Sequence, residues 1–126
     1  MQIRQLDHVN LRTTQLDALK SWYEDVLGLT AGWRPDFPFP GAWLYAGETA
    51  FVHLVGIEGD AGTGSESQLK LEHFAFSASG ADAFEQRLRH RGETYRKSEM
   101  AATRTVAFNV WDPDGNHIHV DFPMDE

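Results

Sequence analysis

Histidine recurs in this 126-residue chain at intervals of about half its length. His8 stands in Leu6-Asp7-His8-Val9-Asn10-Leu11, and His73 stands 65 positions on in Leu71-Glu72-His73-Phe74-Ala75-Phe76. Both phrases read apolar, acid, histidine, apolar, small or polar, apolar. A second pair, His53 and His119, lies 66 apart. Neutral imidazole is a ligand for zinc, nickel, copper and iron. Three or four such rings meeting at one point leave one or two positions open for a water or a substrate oxygen. The chain has no cysteine, so thiolate ligands, thiolate nucleophiles and disulfides are excluded together. Any metal is held by imidazole and oxygen.

The elements that must carry these rings repeat as well. Asp17-Ala18-Leu19 recurs as Asp82-Ala83-Phe84 at the same offset, and Gly28 recurs as Gly92 at 64. Alternation over Ile3–Leu11 predicts a strand. Thr14, with Asp17 three positions on, predicts a helix start resembling a capping box. Leu16, Leu19, Tyr23 and Val26 share one helical face, and Gly28 supplies the stop. Strands follow at about 29–34, 41–47 and 49–56. The second copy has the same order: strand about 69–77, helix about 80–91 ending at Gly92, then strands near 93–97, 103–111 and 116–122. Trp111-Asp112-Pro113-Asp114-Gly115-Asn116 is a turn by its proline and glycine chemistry. Residues 57–68, glycine-rich and aperiodic, are expected to link a repeat over 1–56 to one over 69–126 within a single domain. The fold class expected is α+β, with two βαβββ repeats forming a curved mixed sheet and helices on its outside.

Period-two alternation then sorts the side chains by face. His8 goes with Leu6 and Asn10, His73 with Leu71, Ala75 and Ser77, and His53 with Phe51 and Val55. His117, His119 and Asp121 share the histidine face of the last strand. His117 is either a group supporting the ligands or a residue exposed beside the turn. Asp7 and Glu72 fall on the opposite face by this rule and are not expected to be ligands. His90, near a helix C-terminus, suits the helix dipole and reads as structural. The segment Arg34–Tyr45 has three prolines in six positions and several rings. Phe37, Phe39 and Trp43 either wall a pocket for a small, partly apolar substrate or fill a core or subunit interface. Arg12, Arg34, Arg96 and Arg104 are candidates for a substrate carboxylate, with Arg104 placed among the pocket residues.

Composition sets the outer bounds. Eleven Lys and Arg against nineteen Asp and Glu give a net charge of −8, which repels phosphate backbones, so nucleic acid is not an expected partner. No apolar run reaches the roughly 20 residues that span a bilayer, and Met1-Gln2-Ile3-Arg4 lacks a signal peptide's apolar stretch. A cytoplasmic protein with no membrane partner is expected.

These phrases, together with Trp22-Tyr23-Glu24-Asp25-Val26-Leu27-Gly28-Leu29 and Asp112-Pro113-Asp114-Gly115-Asn116, resemble the vicinal oxygen chelate superfamily. That group includes glyoxalase I, fosfomycin-resistance and bleomycin-binding proteins, extradiol dioxygenases and methylmalonyl-CoA epimerase. The resemblance implies a glyoxalase-like fold, a homodimer, and metal ligands at His8, His53, His73 and His119. The usual glutamate four residues after the turn glycine is here His119, and glyoxalase I-like sites also carry glutamate where His53 stands. A shell with no carboxylate leaves a dication uncompensated. It should favour an anionic ligand, and zinc, nickel or iron(II) over magnesium. Three functions follow: a metal-dependent lyase or isomerase stabilising an enolate-type anion on a small oxygenated substrate, an iron(II) dioxygenase with a histidine facial site, and a metal-free protein that sequesters a planar drug. Metal content separates the last from the others.

Overall fold

A nearly continuous apolar run, Ala50-Phe51-Val52 and Leu54-Val55 around His53, forms the strand Thr49–Gly56 around which the first half of the computed structural model is built. The structure describes residues 1–59 and 70–126, and the chain divides into two units, Met1–Thr63 and Gly64–Glu126. The linker expected over 57–68 lies outside the described residues from position 60 onward.

In the first unit the order is β1 (Val9–Thr13), α1 (Leu16–Asp25), β2 (Thr30–Gly32), β3 (Gly41–Ala46) and β4 (Thr49–Gly56). The sheet runs β1-β4-β3-β2. β1 lies parallel to β4 with Asn10 opposite His53, and the other pairs are antiparallel. Val52 and Leu54 of β4 and Leu44 of β3 point to one face. There they are buried with Leu19, Trp22, Tyr23 and Val26 from the apolar stripe of α1. Each fully buried aliphatic or aromatic side chain contributes about 1.5–3 kcal/mol, so this face holds the helix. Phe51, His53 and Val55 project from the other.

The second unit repeats the order as β5 (Phe74–Ser77), α2 (Ala81–Arg91), β6 (Tyr95–Met100), β7 (Thr105–Trp111) and β8 (His117–Pro123). Its sheet runs β5-β8-β7-β6, again with one parallel pair, Ala75 opposite His119. Phe84 and Leu88 of α2 are buried with Phe108, Val110, Ile118, Val120 and Phe122. Phe84, Phe108 and Phe122 meet at ring separations of 5.5–5.6 Å. The mixed βαβββ pattern is thus present twice, as two hydrogen-bonded four-stranded sheets, each with its own helix on one face.

Local chemistry explains where the elements stop. Gly92 takes φ 70°, its N–H donates to Arg89 O, and Glu93 N–H donates to Leu88 O, a Schellman ending that requires a positive φ. The α1 start differs from expectation. Thr14 does not cap it; the buried Thr13 hydroxyl instead accepts the Gln15 N–H at 3.0 Å. The first strand also begins later than its sequence pattern. Ile3 and Leu6 are exposed, and pairing starts at Val9, opposite Val52.

Candidate metal centre

The histidines lie where the parallel strand pair of each unit begins. His8 directly precedes β1 and stacks on His53 of the adjacent β4, with ring centroids 3.9 Å apart and planes 10° from parallel. His73 directly precedes β5 and stacks on His119 of the adjacent β8 at 3.7 Å and 5°. Strand register produces both pairs. Asn10 faces His53 and Ala75 faces His119, so the residue two positions upstream in each phrase reaches the same neighbour diagonally.

Because both acid–histidine steps precede their strands, alternation does not govern them, and this corrects the expectation for Asp7 and Glu72. Asp7 Oδ1 accepts from His8 Nδ1 at 2.7 Å, and Glu72 Oε2 accepts from His73 Nδ1. A carboxylate is an acceptor, so each Nδ1 carries the proton, and in the neutral ring Nε2 keeps its lone pair. A carboxylate on the far nitrogen is the usual support of a metal-binding histidine. His53 has the reverse arrangement. Its Nε2 faces the Ala50 carbonyl at 3.1 Å, which leaves the lone pair on Nδ1. Among the described residues His119 has no hydrogen-bond partner, so either of its nitrogens is free to bind.

Burial favours the neutral rings that metal binding requires. The pKa of His53 is lowered by burial first and by His8 second. That of His119 is lowered by burial, then by His73 and His117. The Glu72 carboxyl is held below its ordinary range, mainly by the hydrogen bond from His73.

His117 is buried, not exposed beside the turn. It stacks on Trp111, directly opposite it in the β7–β8 register, at 5.0 Å and 9°. The turn that starts β8 is fixed by Asp112, whose Oδ1 accepts from Asp114 N–H and Asn116 N–H at 3.0 and 2.9 Å. Gly115 takes φ 84° within it. His73, His117 and His119 each bring one ring nitrogen to within 4.8 Å of the others.

The expected pocket residues divide between the units. In the first, Phe37 stacks on Phe39 at 5.1 Å and lies 6.4 Å from Trp43. Trp43 stacks on His53 at 4.0 Å and 13°, so an aromatic column runs from the Pro-rich segment to His8. Trp33 meets Trp43 edge-on at 5.9 Å, and the Arg34 guanidinium lies over Phe37 and Phe39 at 5.0 and 5.3 Å. Arg104 belongs to the second unit. It occupies a turn at φ 52°, 3.8 Å from Asp125, beside a shallow groove lined by Ser77, Thr105 and Asp121. Arg96 is engaged with Asn109 at 3.2 Å.

The model for the Glyoxalase/Bleomycin resistance protein/Dioxygenase superfamily matches residues 5–120. The chain belongs to that superfamily. Solved structures agree in fold. A glyoxylase/bleomycin resistance protein/dioxygenase domain from Frankia sp. EAN1pec shares 20% identity at TM-score 0.80, covering 97% of this chain and 99% of that one. A glyoxalase family protein from Bacillus anthracis shares 21% at 0.77, covering 98% of each. A lactoylglutathione lyase from Agrobacterium tumefaciens shares 19% at 0.69, covering 96% and 95%. No curated protein matches in sequence. No helix among the described residues is long and apolar enough to cross a membrane.

Strand alternation alone did not reveal Asp7, Glu72 or the part played by His117. The signal for the acids was present, since each directly precedes a repeated histidine. That for His117 was its place two residues before His119 on the same strand face.

Proposed function

We propose that this superfamily member is a metal-dependent enzyme acting on a small oxygenated substrate, as a glyoxalase-like lyase or isomerase, with His8, His53, His73 and His119 as ligands for zinc, nickel or iron(II). The observation that carries this reading is the hydrogen-bonded state of the rings. Asp7 and Glu72 hold the protons on Nδ1 of His8 and His73, Ala50 O holds the proton on Nε2 of His53, and each ring's other nitrogen keeps a lone pair. Burial lowers the pKa of His53 and His119, which favours their neutral rings. The donor set therefore fits a borderline-soft divalent cation. When bound, such an ion supplies Lewis-acid stabilisation of the charge on an enolate-type anion.

The chain's own residues do the rest. Trp43, Phe37 and Phe39 present ring surface beside His53 to the apolar part of a substrate, and stacking on Trp43 holds the His53 ring in place. The hydrogen bonds to Asp7 and Glu72 restrict rotation of His8 and His73. The protein is proposed to work as a cytoplasmic homodimer, which light scattering on purified material checks.

Elemental analysis of untagged native protein tests the reading. About one transition-metal ion per chain is expected, with its loss in His8→Ala and His73→Ala. A second reading, a metal-free protein that binds a planar ligand, is favoured by Trp33, 71% exposed beside Trp43. Native protein free of transition metal, and protected by planar aromatics against thermal unfolding, would establish that reading instead.

A further inference from the structure

We infer that Arg34 is a carboxylate-binding residue, and that its ligand is a small planar aromatic acid lying on Trp43 and Phe37 with its carboxylate on the guanidinium. This gives the proposed enzyme its substrate class. It rests on the metal-dependent reading for the reaction alone, because the acid's binding needs no metal.

Arg34 lies in the Pro-rich stretch between β2 and β3. Its guanidinium is held on several sides. It packs against the Phe37 and Phe39 rings at 5.0 and 5.3 Å, a favourable placement for a cation. Nη2 donates to Phe39 O at 3.3 Å. The group also rests over Gly41, where a Cβ would come within 3.0 Å of Nη2, so the bare backbone at the start of β3 leaves room for it.

What the cation lacks is an anion. A guanidinium offers several N–H donors in one plane, yet Phe39 O is the only acceptor it meets among the described residues. Nε is closed off from solvent and unpaired. Asp36, two positions away, is exposed and forms no ion pair with it. A half-buried arginine is ordinarily paired. Arg96 and Arg104, by contrast, are engaged with Asn109 and Asp125.

The same clamp places the cation at the end of the aromatic column. Phe37 lies 6.4 Å from Trp43, and Trp43 stacks on His53 at 4.0 Å. Alternation along β3 puts Gly41 on the Trp43 face, with Val55 opposite Gly41 and His53 opposite Trp43. Two residues along a strand span roughly 6.6 Å, so the guanidinium is a short, ring-sized step from the His53–Trp43 pair. A carboxylate matches the planar fork of arginine in charge and geometry. The body of such an acid then falls on ring surface, with exposed Trp33, edge-on to Trp43, as its outer wall. A flat acid meets all of these groups at once, whereas a neutral ligand leaves the cation bare.

A purely bracing role for Arg34 explains the ring contacts but not the missing acid. A brace gains from an acidic partner, and in a chain of net charge −8 acids are plentiful. The repeat does not require the cation either. At offsets of 64 to 66, Arg34 corresponds to Ser98, Glu99 or Met100, none of them basic.

The test is calorimetric titration of the chelator-stripped chain near neutral pH with 2-naphthoate and with its uncharged isostere 2-naphthamide. Spectra of the 15N-labelled arginine Nε–H groups accompany it. Wild type should bind the acid about 10-fold tighter than the amide or better. The acid should also shift the Arg34 Nε–H signal, assigned by its absence from Arg34→Lys. Arg34→Gln should bring the two probes to within about 2-fold of each other, by weakening the acid and leaving the amide unchanged. Arg34→Lys, which keeps the charge without the fork, should fall between. If Arg34→Gln does not fold, the wild-type ratio and the Nε–H shift decide. Equal affinities in wild type, no binding of 2-naphthoate, or a preference that survives Arg34→Gln overturns the inference. Zinc titration of the same protein separates this from the metal reading. Charge-selective binding by protein that takes up no zinc refutes the metal reading and leaves Arg34 its ligand; zinc uptake without charge selectivity does the opposite.

Discussion

Replacing Trp43 by leucine should loosen the first unit and disturb its histidine pair together. Trp43 stacks on His53 at 4.0 Å, meets Trp33 edge-on at 5.9 Å and lies 6.4 Å from Phe37. Ring pairs of this kind are worth about 0.5–1.5 kcal/mol each beyond the area they bury. Leucine keeps part of that burial, so the two closest contacts set a loss of about 1–3 kcal/mol. With a urea m-value of about 2 kcal/mol/M, the midpoint should fall by roughly 0.5–1.5 M, followed by far-UV circular dichroism because the substitution removes a fluorophore. Trp43 also helps to desolvate His53. Without it the imidazole pKa should move back up toward its ordinary value, so zinc binding should weaken more at pH 6 than at pH 8. A midpoint within about 0.2 M of wild type, with unchanged pH dependence of zinc affinity, would refute the ring column as a supporting element.

Other outcomes follow from the same contacts. His53 and His119 both titrate below the ordinary histidine value, so the unfolded chain holds more protons just below pH 6.5. Metal-free stability should therefore fall as pH drops below about 6.5 and through the lowered values; urea midpoints at pH 7.5 and 5.5 check the sign. Glu85 accepts from Tyr95 Oη at 2.9 Å, Lys97 Nζ at 3.0 Å and Arg89 Nη2 at 3.1 Å, and Lys97 and Tyr95 lower its carboxyl pKa. Its stabilising effect is present above about pH 4.5 and is lost as pH falls through the lowered value. Glu85→Gln should reduce stability by about 1–2 kcal/mol at pH 7 and flatten the acid limb. The Glu126 carboxylate accepts from Gly80 and Ala81 N–H at 2.7–3.0 Å, so Glu126→Ala should cost about 0.5–1 kcal/mol, read as a lower melting temperature.

The repeat was legible because its punctuation is chemical. Gly28 and Gly92 both take positive φ at the helix ends, the strand expected over 49–56 has those bounds, and the 65- and 66-residue offsets preserve the register that stacks His8 on His53 and His73 on His119. What alternation could not supply was the place where pairing starts. Ile3 and Leu6 continue the apolar pattern upstream of β1 but remain exposed, and pairing with β4 starts only at Val9, opposite Val52, although β4 itself begins at Thr49. That shift freed Asp7 and Glu72 from the strand's facing rule and let each bond its own histidine. The Thr14 cap failed because the helix starts one residue later, at Leu16 with Gln15 at its N-cap position, and the side chain bonded there is that of Thr13, which accepts from Gln15 N–H. The tautomers of His53 and His117 depend on Ala50 O and Asn109 Oδ1, contacts made by chain turns and cross-strand pairing that residue types alone do not specify.

The central claim is that imidazoles placed by the duplicated strand pairs bind a transition metal. Anomalous scattering from a crystal of the chelator-stripped protein soaked in zinc tests it most directly. The account predicts a zinc peak about 2.0–2.1 Å from ring nitrogens of His73 and His119. Full occupancy elsewhere on the chain, with both rings still stacked and uncoordinated, would contradict it.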